Sequence, residues 1–151
     1  MAFKIKILFI GVFLFTSLSF SQVAVEVIDR TEDMVGRVLV YRVKEKFRES
    51  NAFVLLTAPE GARIRIIISS MDRFKGSELL ENISTMYSVI WLLYDDKKMI
   101  FPIYLDHTLG FAGRSAVEEA AEGIVANTDK VTSSMVEIIK FLEKLLNPRM
   151  K

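Results

Sequence analysis

No cysteine occurs among the 151 residues, so the chain can form no disulfide and cannot be lipidated through the cysteine that bacterial lipoproteins carry after their apolar leader. Its stability must come from packing alone. Histidine is almost as scarce: His107 is the only one, so no histidine pair exists to hold a metal, and a strand-end residue satisfied locally is expected there. A G-x-S-x-G nucleophile elbow and a P-loop are both missing, and with them two common routes to catalysis. Asp95 and Asp96 are adjacent, so on a strand they would point to opposite faces, and they read as turn residues rather than as a catalytic carboxylate pair. No enzyme activity, metal or cofactor is therefore expected.

Charge of one sign is lacking too. The chain holds 20 Lys plus Arg against 19 Asp plus Glu, and setting aside Lys4 and Lys6 leaves 18 against 19, a formal charge of −1. Such a balance provides no field for nucleic acid, and although Arg63 and Arg65 share a face, no RNA-binding motif accompanies them. A bilayer-spanning run is also absent. The apolar stretch from Ile7 to Phe15, interrupted by Gly11, is shorter than the ~20 residues that a spanning helix needs. Preceded by Lys4 and Lys6 and followed by Ser19 and Ser21 at the two positions a signal peptidase reads, it predicts a cleavable secretory signal over residues 1–21, cut before Gln22. The alternative is an uncleaved anchor. With cleavage, the protein is periplasmic or secreted, and the absence of disulfides favours a bacterial periplasm.

What remains, residues 22–151, is long enough for one domain with a real core. Gln22 to Ile28 is β-branched and reads as a strand. Val35, Leu39, Val43 and Phe47 then recur every four residues, the mark of an amphipathic helix. Ala52 to Thr57 resumes as a strand, and Arg63 to Met71 alternates as a half-buried one. Asp72 to Asn82 reads as a loop. Thr85 to Tyr94 and Met99 to Asp106 flank a short polar connection and are expected to pair antiparallel, with Pro102 at an edge or bulge.

Gly110 and Gly113 mark a loop, and Ser115 with Glu118 reads as a capping box that opens the last helix. Along that helix Val117, Ala121, Ile124, Thr128, Val131, Met135, Ile138, Leu142 and Leu145 form a heptad-like seam. Ser134 with Glu137 is a second capping box, so a break near Asn127 to Ser134 is the alternative to one continuous helix. The expected fold is α+β: strand, helix, four strands, helix, with a mostly antiparallel sheet, both helices on one face and a long C-terminal helix.

Two segments bear on partners. In Tyr87 to Tyr94 both faces are apolar, with Val89, Trp91 and Leu93 on one and Ile90, Leu92 and Tyr94 on the other. Either this is a central strand buried on both sides or one face is a partner surface. Tyr87, Val89, Trp91 and Leu93 are the partner-binding candidates in the sheet, and Ile138, Leu142 and Leu145, expected to overhang the domain, are those in the last helix. Arg114 and Ser115, after the glycines of GFAGRS, form a candidate anion site beside a tight strand-to-helix connection.

The succession of VGRVLVYRVKEKFRESNAFVLL, ARIRIIISS, SVIWLLYDDKKMIFPIYLD and GRSAVEEAAEGIVANT resembles the small periplasmic α/β domains of the TolB amino-terminal type, with a looser likeness to CsgG-type domains. The resemblance implies a noncatalytic envelope domain that binds other proteins, and it assigns no functional residues. The expected function is thus an exported accessory or interaction domain. Its partner is an envelope protein or a second copy joined through the C-terminal helix, with no integral membrane span after cleavage. The alternative is a small-ligand-binding protein with an apolar cavity between helices and sheet and Arg114 or Arg63 as the anchor for an acid group.

Overall fold

The structure, a computed structural model, describes residues 22–146, with side chains described as far as Ile138. The leader expected over residues 1–21, and the side chains of Leu142 and Leu145, lie outside the described residues. Five strands and two helices follow one another as β1 (Val23–Thr31), α1 (Met34–Glu49), β2 (Phe53–Leu55), β3 (Ala62–Asp72), β4 (Ser84–Asp95), β5 (Ile103–Gly113) and α2 (Val117–Leu146). They build one sheet in the order β2-β1-β3-β4-β5. β1 lies parallel to both β2 and β3, whereas β3–β4 and β4–β5 are antiparallel and form the two longest ladders. The sheet is mostly antiparallel by paired residues.

Helix α1 is the crossover that lets β1 and β2 run parallel side by side. Asp33 caps it, its Oδ2 accepting the Gly36 N–H at 2.9 Å. The other oxygen of that buried carboxylate accepts the hydroxyls of Ser70 and Thr85, which ties the start of α1 to β3 and β4. Gly36 makes this closeness possible. A Cβ there would lie 1.8 Å from the Ser70 hydroxyl oxygen.

Both helices cover the same face of the sheet. Val35, Leu39, Val43 and Phe47 of α1 and Val117, Ala121, Ile124, Val131 and Met135 of α2 meet Val25, Val27, Ile64, Ile66, Ile68, Val89, Trp91 and Leu93 in one core. The helices are also joined at the surface, where Lys46 reaches Glu118 at 2.7 Å and Glu122 at 2.9 Å.

Several boundaries differ from those expected. β1 continues through Asp29 and Arg30 to Thr31, because its register with β3 runs on to Thr31↔Ser70. β2 is shortened to three residues. The last strand is displaced most: it spans Ile103–Gly113 rather than Met99 to Asp106, so Gly110 and Gly113 lie in the strand and not in a loop. Gly110 faces Tyr87, whose ring lies so close that a Cβ on Gly110 would meet it at 2.4 Å. The glycine is there to accept an aromatic neighbour across the ladder, not to break the chain.

Ser115 does not cap the last helix. It lies inside a 3-10 turn, Arg114–Ala116, that leads directly into α2. The second capping box is not used either, since α2 is one helix of 30 residues.

Candidate functional site

Alternation along each strand decides which side chains face water. On β4 the even positions Met86, Ser88, Ile90, Leu92 and Tyr94 lie opposite to the helices, and the ladders extend this parity to its neighbours. At one end of this helix-free face Met71, Met86 and Phe111 form a row across three strands. Ser69, Ser88 and Leu109 make the next row, and Ile67, Ile90 and His107 the one after. Leu109 is 74% and Phe111 62% exposed, and Met71, Met86 and Ile90 are exposed as well. Isolated apolar residues on a surface are ordinary, whereas here Met71, Met86, Phe111 and Leu109 adjoin one another on one sheet face. Among the described residues β5, at the margin of this face, pairs with β4 alone, so its outer edge has no strand partner there.

The opposite end of the face is charged and internally satisfied. Glu26 Oε2 accepts Arg63 Nε at 2.7 Å and Arg65 Nε at 2.8 Å. Arg63 also reaches Asp96 Oδ1 at 3.2 Å, and Arg65 stacks 4.1 Å from the Tyr94 ring centroid. Burial by itself would raise the Glu26 pKa, but its hydrogen bonds to the two guanidinium groups, with their charges, outweigh this and hold it below the ordinary carboxylate value. The cluster neutralises its own charge. It is a brace across β1, β3 and the β4–β5 connection, and it leaves no free guanidinium for a ligand.

The four sheet residues expected to meet a partner lie on the other face. Val89 and Trp91 are fully buried, Leu93 is buried and Tyr87 is half-buried, all beneath the helices. The two-face division of this strand is as expected, but the covered face is the one that carries these four partner candidates. The reason is that Trp91 fills the space between sheet and α2 and donates its indole N–H to Thr128 Oγ1 at 2.8 Å, an apolar body with a polar end satisfied inside. Burial between sheet and helices likewise raises the Tyr87 pKa.

In α2, Ile138 is 60% exposed. Arg114 and Ser115 are exposed, and Arg114 is occupied by the fold: its Nε donates to the Asn82 carbonyl at 2.6 Å and its backbone N–H to that of Ile83 at 3.2 Å. His107 stands in mid-strand rather than at a strand end, its Nδ1 2.5 Å from the Tyr104 hydroxyl.

An apolar cleft of about 470 Å³ opens between β5 and the distal half of α2, lined by Leu93, Ile103, Leu105, Val131, Met135 and Ile138 with Lys130 and Asp106 among them. Neither Arg114 nor Arg63 lines it. Among the described residues no group of three or more acidic or histidine side chains is arranged to hold a metal ion.

Sequence reasoning missed Met71, Met86, Leu109 and Phe111. Parity held the signal for the first two, because Met71 is out of phase with Ile64, Ile66 and Ile68, and Met86 with Trp91. Leu109 and Phe111 are hidden because Gly110 between them carries the mark of a loop. Compared with known protein families and with curated proteins, the chain matches no family model and no curated protein.

Proposed function

We propose that this chain is an exported, noncatalytic interaction domain that binds an envelope protein through the helix-free face of its sheet and the open edge of β5. The observation that carries the reading is the tract Met71, Met86, Phe111 and Leu109, apolar and exposed on adjoining strands beside an unpaired edge. An extended segment of the partner adds to β5 as a further strand, and its alternate side chains pack on Leu109 and Phe111. Methionines suit such a surface because their flexible thioethers adapt to the shape presented to them. Export rests on the apolar leader before Gln22, and the resemblance to TolB-type domains points to the same compartment and the same class of partner.

A photo-crosslinking residue placed at Leu109 in living cells is expected to trap one envelope protein. Phe111→Asp is expected to abolish that product while leaving the circular dichroism unchanged. Trapping that persists with Phe111→Asp, or no product at Leu109, removes this face from the reading.

A second reading, a carrier of small apolar ligands, is favoured by the cleft between β5 and α2, where Lys130 rather than an arginine would meet an acid group. Mass spectrometry of the purified protein under native conditions separates the two: a bound small molecule lost on Leu105→Asp supports the carrier.

A further inference from the structure

A different surface lies at the end of the domain where the chain enters from its amino-terminal segment. Val25 pairs with Ile64, and Ala62, two residues before Ile64, pairs with Asp95. Val23, the first residue of β1, is therefore level with the base of the β4–β5 connection and two strand spacings, about 10 Å, across from it. Helix α2 runs to this end as well. It leaves β5 at Gly113, opposite Ser84, and further on Val131, Met135 and Ile138 line the cleft with Leu93 and Ile103.

The β4–β5 connection is a prong on a fixed base. The carbonyl of buried Asp95 accepts the Met99 N–H at 2.8 Å, and its carboxylate accepts that of Lys97 at 2.9 Å. Asp96 Oδ1 accepts the Gly61 N–H at 2.7 Å and is joined by Arg63, which Glu26 holds in turn. Met99 packs against the core, and the next two residues stand out from it. Ile100 is 89% and Phe101 77% exposed, with the exposed Ile103 following them. Lys98 beside them is exposed and makes no ion pair among the described residues, while Lys97 pairs with Glu60.

Two large apolar side chains on a tethered tip are unfavourable in water. The length of chain before Gln22 limits how far from them the expected leader can end. The apolar run Ile7–Phe15 ends seven residues before Gln22, a reach of at most ~25 Å for extended chain, and Gln22 joins the domain at the same end as the prong. While that run is held in a bilayer, the prong stands within reach of the lipid headgroups. We propose that this end of the domain docks on a lipid surface, with Ile100 and Phe101 inserted among the headgroups and Lys98 at the level of the phosphates. The contact is peripheral: no described helix is long and apolar enough to cross a membrane.

The core runs from Val25 to Met135, so the chain beginning at Gln22 retains it and isolates the prong from the leader. Flotation of this protein with vesicles of phosphatidylcholine, alone and mixed with phosphatidylglycerol, is expected to show binding to both, stronger to the mixture. The Ile100→Asp/Phe101→Asp variant is expected to lower the partition coefficient by about tenfold or more. Leu79→Asp, which alters an equally exposed apolar residue in the connection at the far end of the sheet, is expected to leave it unchanged.

Should the double variant fail to fold, an environment-sensitive dye on Lys98→Cys in this cysteine-free chain gives a second reading: its emission shifts to the blue with vesicles, and that of a dye on Leu79→Cys does not. Three results overturn the proposal. They are a protein that floats with neither vesicle, a folded double variant that floats as the parent does, and a dimer in lipid-free solution that the same double variant dissolves.

Discussion

Trp91 donates to Thr128, and the Thr128 hydroxyl donates in turn to the Ile124 carbonyl at 2.9 Å, so one indole ties the middle of β4 to the middle of α2. Trp91→Ala is expected to cost about 3–5 kcal/mol through the cavity it leaves. Trp91→Phe, which keeps most of the volume and loses the hydrogen bond, is expected to cost about 1–2 kcal/mol. Urea melts of both variants check this, and a loss below 1 kcal/mol for Trp91→Ala contradicts the buried placement.

Glu26 supports a prediction on pH. It binds its proton more weakly in the folded than in the unfolded chain, so the unfolded state takes up more protons through the carboxylate range and stability rises with pH there. The contribution is fully present above the ordinary value of 4.5 and is lost as pH falls from there through the lower folded-state value. Melts from pH 6 to pH 3 are expected to show a flatter acid limb for Glu26→Gln than for the parent, together with lower stability near neutrality, where Arg63 and Arg65 lose their shared partner. An unchanged acid limb would mean that the brace does not couple to folding.

Helix α2 is the element whose extent matters most. Its 30 residues make it ~45 Å long, and its seam is internal as far as Met135, after which Ile138 is exposed. Of the three residues expected to overhang, Ile138 stands exposed beside the cleft it lines with Leu93 and Ile103, and the side chains of Leu142 and Leu145 lie outside the described residues. Ending the chain at Lys130 removes Val131 and Met135 from the core and is expected to cost about 3–5 kcal/mol. Ending it at Glu137 keeps both of these core residues. Denaturant melts report the stabilities, and light scattering on the longest and the Glu137 forms reports whether the last turns hold two copies together.

At this scale the helices were legible because their seams repeat over several turns. Strand β5 was not. Its glycines carry the marks of a turn, and only the ring of Tyr87 on the next strand explains why Gly110 belongs in a ladder.

For the molecule as a whole, export remains the expectation that organises the rest. Amino-terminal sequencing of the protein recovered from its compartment is expected to begin at Gln22 or within a residue or two of it; an intact Met1 in the membrane fraction would make the leader an anchor. The prong at Ile100 and Phe101 would then stay beside the bilayer permanently rather than during passage alone. The open sheet face, more than half the sheet's length away from that end, remains accessible to a protein partner in either case.

The sequence by itself determined the α+β class, the amphipathic faces of both helices and the two-sided parity of β3 and β4, because each is a period written into neighbouring residues. Only the tertiary structure decided which side of that parity is covered. Trp91 and Ile90 are adjacent, apolar and equally suited to a core; Trp91 is inside because Thr128, 37 positions away, stands ready to accept its N–H. In the same way Arg63 reads as a free cation until Glu26 and Asp96 are brought to it, and no local pattern announces that Arg114 Nε meets the Asn82 carbonyl. Burial and ion pairing depend on residues far apart in the chain, and a local period carries no information about them.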